Sequence, residues 1–257
     1  MKLAHVVSAV NNNPKYLKLL PLFIESWKHF FPEIKITVIY VTDGDELLPA
    51  KYMKYIEHIF HYKAPKGLNS VYVAQVVRLL WPALLDEAGG VMPTDIDLIP
   101  TCRHYFEGIY DDCAMICYRN VDMAMLWRHI NICYNQMTSA TWKEMFDIHS
   151  VPDIDEFLVN HYPQKFTGRH GSDAEGWYTD QGIFFARAEA WKKKGNIIKM
   201  LADSDLKFKR IDPSDHNYDI KKFIELIASK KYTDAHIYAN ECPWNVNDID
   251  TICKMLG

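Results

Sequence analysis

The sequence lacks the cysteine pairs on which small secreted domains and zinc sites depend. Only six of its 257 residues are cysteines, and no two of them form a Cys-x-x-Cys pair. A chain of this length, 49% of which is hydrophobic, can bury a sizeable core without disulfide bonds. We therefore expect reduced and mostly buried thiols at all six positions, which are Cys102, Cys113, Cys117, Cys133, Cys242 and Cys253.

Runs of basic residues and long apolar runs are also missing. The formal net charge of −4, without a cluster of Lys or Arg, argues against nucleic acid as a partner. No stretch approaches the roughly 18 uninterrupted apolar residues of a membrane span, and residues 1–10 lack the apolar core of a secretory signal. We expect a cytoplasmic protein without a membrane span, and the composition leaves its oligomeric state open.

Two common phosphate-binding patterns are absent as well. No Gly-x-Gly-x-x-Gly follows the first predicted strand, and no Gly-Lys-Ser/Thr occurs anywhere in the chain. A Rossmann dinucleotide site and a P-loop are therefore both unsupported. Any phosphate group of a ligand must be held in another way.

Strands and helices are predicted to alternate through the first 100 residues. Residues 3–10 and 34–41 are apolar segments typical of buried strands, residues 55–62 are predicted to be a third strand, and residues 16–30 have helical periodicity. This order predicts an α/β fold with a Rossmann-like, mainly parallel sheet flanked by helices. No linker or repeat divides the chain, so we expect one domain over residues 1–257.

Polar residues follow the first two predicted strands. Asn11 and Asn13 come after the first strand, and Asp43 comes after the second. Because ligands of parallel sheets bind beyond the carboxyl ends of the strands, we expect these three side chains beside one crevice. Taken singly, each fits a turn or capping residue better. Only their convergence indicates a site.

The segment 89–100 is apolar except for Asp95 and Asp97, and it is predicted to be a short buried strand that ends at a polar edge. Side chains two residues apart on an extended chain point the same way. Two neighbouring carboxylates repel each other unless a hard divalent cation lies between them. They can equally be two ordinary surface aspartates at a solvated strand end.

A helix is predicted over residues 69–85, with Asn69 as a capping candidate and Pro82 kinking or restarting it. Gln75 and Arg78 lie one turn apart, away from the apolar stripe. Arg78 precedes the paired carboxylates and can hold an anion or orient them; the alternative is a surface cation on an amphipathic helix.

Several stretches, in this order along the chain, resemble the nucleotide-sugar-dependent glycosyltransferases of the GT-A fold. Among these, the chain is similar to the family 8-like enzymes, and its spacing is closer to viral and phage-type members than to the bacterial galactosyltransferases. The stretches are AVNNNPKY (9–16), VVRLLWP (76–82), TDID (94–97), CYN (133–135), YTDQ (178–181) and HIYANECPW (236–244).

The resemblance implies a hexosyl- or pentosyltransferase that moves a sugar from a nucleoside diphosphate sugar, with a UDP-sugar as the expected donor, to a glycan or another hydroxyl acceptor. It implies Mn²⁺ or Mg²⁺ bound by Asp95, Asp97 and His236, with residues 1–100 as the nucleotide-sugar half and 101–257 as the acceptor and catalytic half. In a viral protein the location would be the host cytoplasm. The expected nucleotide-sugar-binding residues are Ala9, Val10, Asn11, Asn13, Asp43, Arg78, Asp95 and Asn135.

Asp180 and Gln181 resemble the pair at the reacting centre of that family. If Asp180 is a general base that deprotonates the acceptor, the configuration of the sugar is inverted. If the Gln181 amide stabilises an oxocarbenium-like sugar while the leaving phosphate takes the proton, the configuration is retained, which the resemblance favours. Asp180 can also be a simple helix cap. Trp177 is the predicted acceptor contact because it lies beside Asp180.

Three positions depart from the family pattern. Asn11 stands where Asp is usual and Gln136-Met137 where a Gly is usual, which leaves the base and sugar specificity open. Cys242 replaces a phosphate-binding Lys, and a predicted lid over residues 164–177 offers substitutes. The candidate substitutes are Lys165, Arg169 and His170.

Alternatives remain for the third metal ligand and for the function. His216 is the rival of His236 as a ligand. A non-catalytic nucleotide-sugar-binding module is the first alternative function, and Cys242 is the residue that favours it. A nucleotide-sugar hydrolase or pyrophosphorylase with the same metal site is the second.

Overall fold

Strand β1 (Leu3–Asn11) is the centre of a four-stranded, all-parallel sheet in the order β3-β2-β1-β4. The computed structural model describes residues 1–119, 128–168 and 175–256. The other strands are β2 (Lys35–Thr42), β3 (Ile59–Lys63) and β4 (Gly90–Pro93). Side chains of β1 alternate between two buried clusters, Val7 and Ala9 in one, Val6 and Val10 in the other. Burial on both faces explains why this segment is mostly apolar.

The three strands predicted for the first 63 residues are present, but the third is shorter than predicted. Residues 55–58 belong to a 3₁₀ helix, Ala50–His58, and only the second half of the predicted segment pairs with β2. The predicted helix over residues 16–30 is divided into α1 (Pro14–Leu17) and α2 (Leu20–Phe30). Pro21 explains the division, because its ring clashes with a carbonyl four residues earlier and it donates no hydrogen bond.

Helix α3 (Ser70–Leu80) packs against β1 and β2 and ends earlier than predicted. The Asn69 side chain caps it by accepting a hydrogen bond from the Val71 backbone N–H at 2.9 Å. A 3₁₀ segment, Trp81–Leu84, follows and contains Pro82, so the predicted restart at this proline is confirmed.

The expected single strand over residues 89–100 is wrong. The segment forms β4 and β5 (Leu98–Pro100), and Asp95 and Asp97 lie in the turn between them. The two strands belong to different sheets, because β4 pairs with β1 whereas β5 pairs with β10 (Asp234–His236). The Leu98 backbone N–H donates to the Asp95 carbonyl at 3.2 Å and closes this turn.

Among the described residues, two small three-stranded sheets accompany the central one, in the orders β5-β10-β9 and β7-β6-β8. The expected fold class is confirmed: a single mixed α/β domain with a parallel central sheet flanked by helices. The remaining strands are β6 (Met115–Cys117), β7 (Asn135–Gln136), β8 (Ile198–Met200) and β9 (Arg210–Ile211). The remaining described helices are α4 (Ser139–Phe146), α5 (Val151–Asn160), α6 (Thr179–Lys193), α7 (Pro213–His216), α8 (Ile220–Ala228) and α9 (Val246–Leu256).

The cysteine side chains agree with the expectation from composition. All six cysteines are unpaired, four of them are buried, and Cys113 and Cys253 are half-buried. In the described ranges, none of the helices combines the length and the apolar character needed to cross a bilayer.

His5, on β1, is expected to make folding weaker in acid. Its side chain is buried and its Nε2 lies 2.9 Å from Thr37 Oγ1. Burial lowers the pKa of His5 to about 4, with Glu87 raising it and Lys35 lowering it further. Because the folded pKa lies below the unfolded one, this stabilisation is present above about pH 6.5 and is lost toward pH 4.

Between pH 7 and pH 5 the His5 term should lower the free energy of unfolding by about 2 kcal/mol. Urea unfolding of the wild type and His5→Gln at both pH values measures it. The variant should show a smaller difference between the two pH values. An equal difference in both proteins would contradict the assignment.

Candidate functional site

A cavity of about 680 Å³ opens at the carboxyl ends of β1 and β4, beside α3 and the start of α6. Eleven of the thirteen residues predicted for the site from the sequence line it together. These are Ala9, Val10, Asn11, Asn13, Arg78, Asp95, Asp97, Trp177, Asp180, Gln181 and His236. They come from both halves of the chain, so the cavity is assembled by tertiary packing rather than by one motif.

Arg78 links two carboxylates that are 85 residues apart in the chain. Its Nη2 donates to Asp180 Oδ2 at 3.1 Å, its Nη1 donates to Asp95 Oδ1, and its Nε donates to the Gln75 carbonyl at 3.2 Å. The Arg78 side chain is only 9% exposed, so the surface-cation alternative is wrong. Burial alone would lower the pKa of Arg78, but the two carboxylates raise it.

Asp180 lies in the first turn of α6 and is 2% exposed. Tyr178 occupies the N-cap position, so the alternative that Asp180 is the helix cap is wrong. Both oxygens of Asp180 are engaged, because Oδ2 accepts from Arg78 and Oδ1 accepts from the Gln181 backbone N–H at 2.8 Å. Burial raises the pKa of Asp180 to about 6, although Arg78 acts to lower it.

Asp97 and His236 form a second polar pair in the cavity. His236 Nε2 lies 3.6 Å from Asp97 Oδ2, because β10 pairs with β5 and places His236 opposite Leu98. The Ile237 backbone N–H also donates to the Asp97 carbonyl at 2.9 Å. Burial acts to raise the pKa of Asp97, but His236 and Arg78 outweigh it, and the net pKa lies below its ordinary value.

His216 lies away from the cavity lining. Its ring stacks on Trp244 with centroids 5.8 Å apart, and its Nδ1 accepts from the Tyr218 backbone N–H at 3.0 Å. Burial lowers its pKa, which is the expected effect for a neutral core imidazole. Of the two histidines considered from the sequence, His236 is the one that the fold brings to the paired aspartates.

The three predicted metal ligands are only partly assembled. In the described part of the chain, no three His, Cys, Asp or Glu side chains converge as a metal site. The reason is Asp95, whose Oδ1 is turned to Arg78 while Asp97 and His236 face each other. A carboxylate oxygen and an imidazole nitrogen are suitable donors for Mn²⁺ and acceptable ones for Mg²⁺. The Asp97–His236 pair therefore fits such an ion, and Asp95 lies two residues away in the same turn.

Asp43 and Asn135 do not line the cavity. Asp43 Oδ2 accepts from Ser70 Oγ at 3.1 Å, and Ser70 Oγ accepts from Asn11 Nδ2 at 3.3 Å. Asn135 is buried and donates to the Ile132 carbonyl at 2.8 Å and to the Asn131 carbonyl. It thus holds a segment whose residues 131–133 line the cavity. Both residues contact the site through a neighbour.

The predicted substitutes for the missing lysine do not supply a cation in the described part of the cavity. Lys165 is exposed and pairs with Glu175 at 3.4 Å. Arg169 and His170 lie in residues 169–174 of the predicted lid, which are outside the described residues. Cys242 is buried, and its carbonyl accepts a hydrogen bond from Lys18 Nζ at 2.5 Å.

Sequence reasoning missed Arg210, which also lines the cavity. Its Nε donates to the buried Asp234 carboxylate at 3.0 and 3.1 Å, and Tyr134 Oη donates to the same group at 2.8 Å. Arg210 lies on a two-residue strand placed only by pairing with β10, so no local pattern signals it. Other missed lining residues include Tyr16, Gln75, Asn131, Tyr238, Asn240 and Glu241.

No protein-family model matches the sequence, and no curated protein sequence matches it. Solved structures do match. The glycosyltransferase GlyE of Streptococcus pneumoniae TIGR4 aligns with 100% of this chain at 14% identity and a TM-score of 0.52. The apo structure of the bifunctional glycosyltransferase WbbM aligns with 98% of it at 12% identity and a TM-score of 0.51. This chain spans 62% of the GlyE chain and 50% of the WbbM chain.

These comparisons establish a shared fold. The chain has the fold of the glycosyltransferases GlyE and WbbM, in agreement with the GT-A architecture expected from the sequence. Identities of 12% and 14% do not carry a substrate or an activity from one chain to another. The function must therefore be argued from the cavity itself.

Proposed function

We propose that the protein is a metal-dependent glycosyltransferase that moves a hexosyl or pentosyl group from a UDP-sugar to a hydroxyl group of a glycan or another acceptor. One observation carries the proposal: the Asp97–His236 pair and the Asp95–Arg78–Asp180 ion pairs face one cavity at the carboxyl ends of a parallel sheet. Ligands of open α/β sheets bind at this edge. The fold shared with two glycosyltransferases supports the same conclusion.

The charge of the cavity explains why a cation is needed. Its described lining carries the carboxylates of Asp95, Asp97, Asp180 and Glu241 against the guanidinium groups of Arg78 and Arg210. An excess of negative charge repels a diphosphate unless a divalent cation accompanies it. Mn²⁺ or Mg²⁺, held by Asp97 and His236 with Asp95 beside them, would supply a Lewis acid that stabilises the leaving diphosphate.

The positions of the lining residues define the direction in which the donor would lie in the cavity. Ala9, Val10, Asn11 and Asn13 lie at the end of β1 and take the nucleoside, whereas Asp95 follows the neighbouring strand β4 and lies on the diphosphate side. Arg78 holds Asp95 in place. Gln181 faces the sugar, and Trp177 lies beside it as the acceptor contact.

The environment of Asp180 supports retention of configuration. A general base needs a carboxylate oxygen directed at the acceptor hydroxyl, but Asp180 is 2% exposed and both of its oxygens are engaged. Asp180 therefore orients Arg78 and the Gln181 backbone, and the leaving phosphate takes the acceptor proton. A viral or phage-type origin and a cytoplasmic location stay predictions from the sequence.

A nucleotide screen by thermal unfolding tests the proposal. UDP and UDP-sugars with Mn²⁺ should stabilise the protein by about 2.7 kcal/mol at 100 times the dissociation constant. Mn²⁺ alone and UDP with a chelator are the controls, and each should give a much smaller shift in melting temperature. If no nucleotide stabilises the protein in the presence of Mn²⁺, the proposed donor class is wrong.

A further inference from the structure

We propose that Ser70 and Asp43 are positioning residues that fix the orientation of the Asn11 amide and so determine which pyrimidine base the cavity accepts. The proposal rests on the nucleoside diphosphate donor proposed above. The three residues come together where β1, β2 and α3 meet: Asn11 ends β1, Asp43 follows β2, and Ser70 begins α3. Only Asn11 among them lines the large cavity.

Hydrogen-bond polarity allows one orientation of the Asn11 amide. A carboxylate only accepts, so the Ser70 hydroxyl donates its hydrogen to Asp43 Oδ2 at 3.1 Å. Ser70 Oγ must then accept, and it does so from Asn11 Nδ2 at 3.3 Å. On the other side, Asn11 Oδ1 accepts from the Asn13 backbone N–H at 3.2 Å. Both contacts place the amide nitrogen toward Ser70.

A flipped amide would break both contacts. Its nitrogen would face the Asn13 N–H, which is a donor, and its oxygen would face a hydroxyl whose hydrogen is directed at Asp43. Unpaired or opposed donors in a buried position are costly, and Asn11 is 8% exposed. The chain Asp43–Ser70–Asn11 therefore holds the amide in a single state before any ligand binds.

An amide held in this way can distinguish uracil from cytosine. After its internal contacts, Asn11 keeps one N–H and one carbonyl lone pair for a ligand. Uracil presents an N–H at position 3 and a carbonyl at position 4, whereas cytosine presents an acceptor and an amino group at the same positions. A free amide can rotate to match either edge, but a fixed amide matches one. Because the proposed donor is a UDP-sugar, the edge that the fixed amide matches is that of uracil, and the resulting preference for uridine over cytidine depends on Ser70 and Asp43, neither of which lines the cavity.

Calorimetric titration with UDP and with CDP, each with Mn²⁺, tests this inference in four proteins. These are the wild type, Ser70→Ala, Asp43→Asn and the control Asp45→Asn. Asp45 is an exposed carboxylate on the same loop, paired with Lys63 and absent from the hydrogen-bonded chain. The wild type and the control should bind UDP about tenfold or more tightly than CDP, the usual discrimination of a bidentate amide contact. In the two other variants, the ratio should fall to about threefold or less.

The outcomes separate this inference from the proposed function. If Ser70→Ala and Asp43→Asn lower the affinities for UDP and CDP equally and so keep the ratio of the two affinities, the two residues are merely structural and the inference is wrong. A wild type that binds both nucleotides equally also overturns it, while the proposed function stands. A wild type that binds neither nucleotide with Mn²⁺ overturns the proposed function itself. Asp43→Asn keeps the shape of the side chain, so it decides the question if Ser70→Ala does not fold.

Discussion

Gln181→Ala is expected to lower sugar transfer about 100- to 1,000-fold while leaving the affinity for UDP with Mn²⁺ nearly unchanged. The reason is that Gln181 lines the cavity beside Asp180, where a side-chain amide dipole would act on charge that develops only in the transition state. Asp180→Asn should be impaired to a similar extent, because it weakens the contact that orients Arg78 and removes a carboxylate that accepts from the Gln181 backbone. Turnover of a UDP-sugar, measured beside calorimetric affinity for UDP, separates catalysis from binding.

The stereochemistry of the product distinguishes the retaining mechanism from the inverting one. NMR of the anomeric proton in the first-formed product should show the configuration of the donor. Glu189→Gln is the matched control for the turnover of the Gln181 and Asp180 variants. Glu189 lies on the same helix but outside the described lining of the cavity, so its turnover should stay near that of the wild type. An inverted product, together with normal turnover in Gln181→Ala, would make Asp180 the general base and reject the retaining mechanism.

Arg78→Leu is expected to lower the free energy of unfolding by about 3–5 kcal/mol, the usual cost of removing one partner from a buried ion pair. The change removes the cation that contacts both Asp95 and Asp180, so the two carboxylates repel each other without compensation. Adding Asp180→Asn to the same protein should recover part of the loss, because the buried negative charge is then gone. Denaturant unfolding of both variants measures these differences.

Arg103→Leu is the control for the Arg78 experiment. Arg103 also bridges two carboxylates, Glu33 and Glu107, but it does so at the surface. Surface ion pairs contribute about 0–1 kcal/mol, so this variant should lose far less stability. Equal losses in Arg78→Leu and Arg103→Leu would show that the buried ion pairs have no special weight.

The central sheet could be predicted from the sequence because its signals are local. The first two strands are mostly apolar segments, and the polar residues that follow each of them mark its end. The division of the first predicted helix follows from one residue, Pro21. These features depend on neighbours in the chain, which is why periodicity and proline suffice to find them.

The chemistry around Asp95 and Asp97 could be predicted only in part. The sequence shows two aspartates at the spacing of a metal-binding motif. Their contacts, however, depend on two different sheets that meet at this turn. Asp95 thus faces Arg78, whereas Asp97 faces His236, and no spacing rule gives that result. Arg210 was missed for the same reason, because a strand of two residues exists only through its pairing with β10.

Calorimetric titration of UDP in the presence of Mn²⁺, with the wild type and Asp97→Asn, tests the central claim most directly. The wild type should bind UDP only when Mn²⁺ is present, and Asp97→Asn should lose this metal-dependent affinity while its thermal unfolding stays close to that of the wild type. Asp97 is the decisive position because it contacts His236, the one histidine among the described lining residues. Unchanged Mn²⁺-dependent affinity in Asp97→Asn would contradict the metal-dependent site on which the proposed transfer reaction rests.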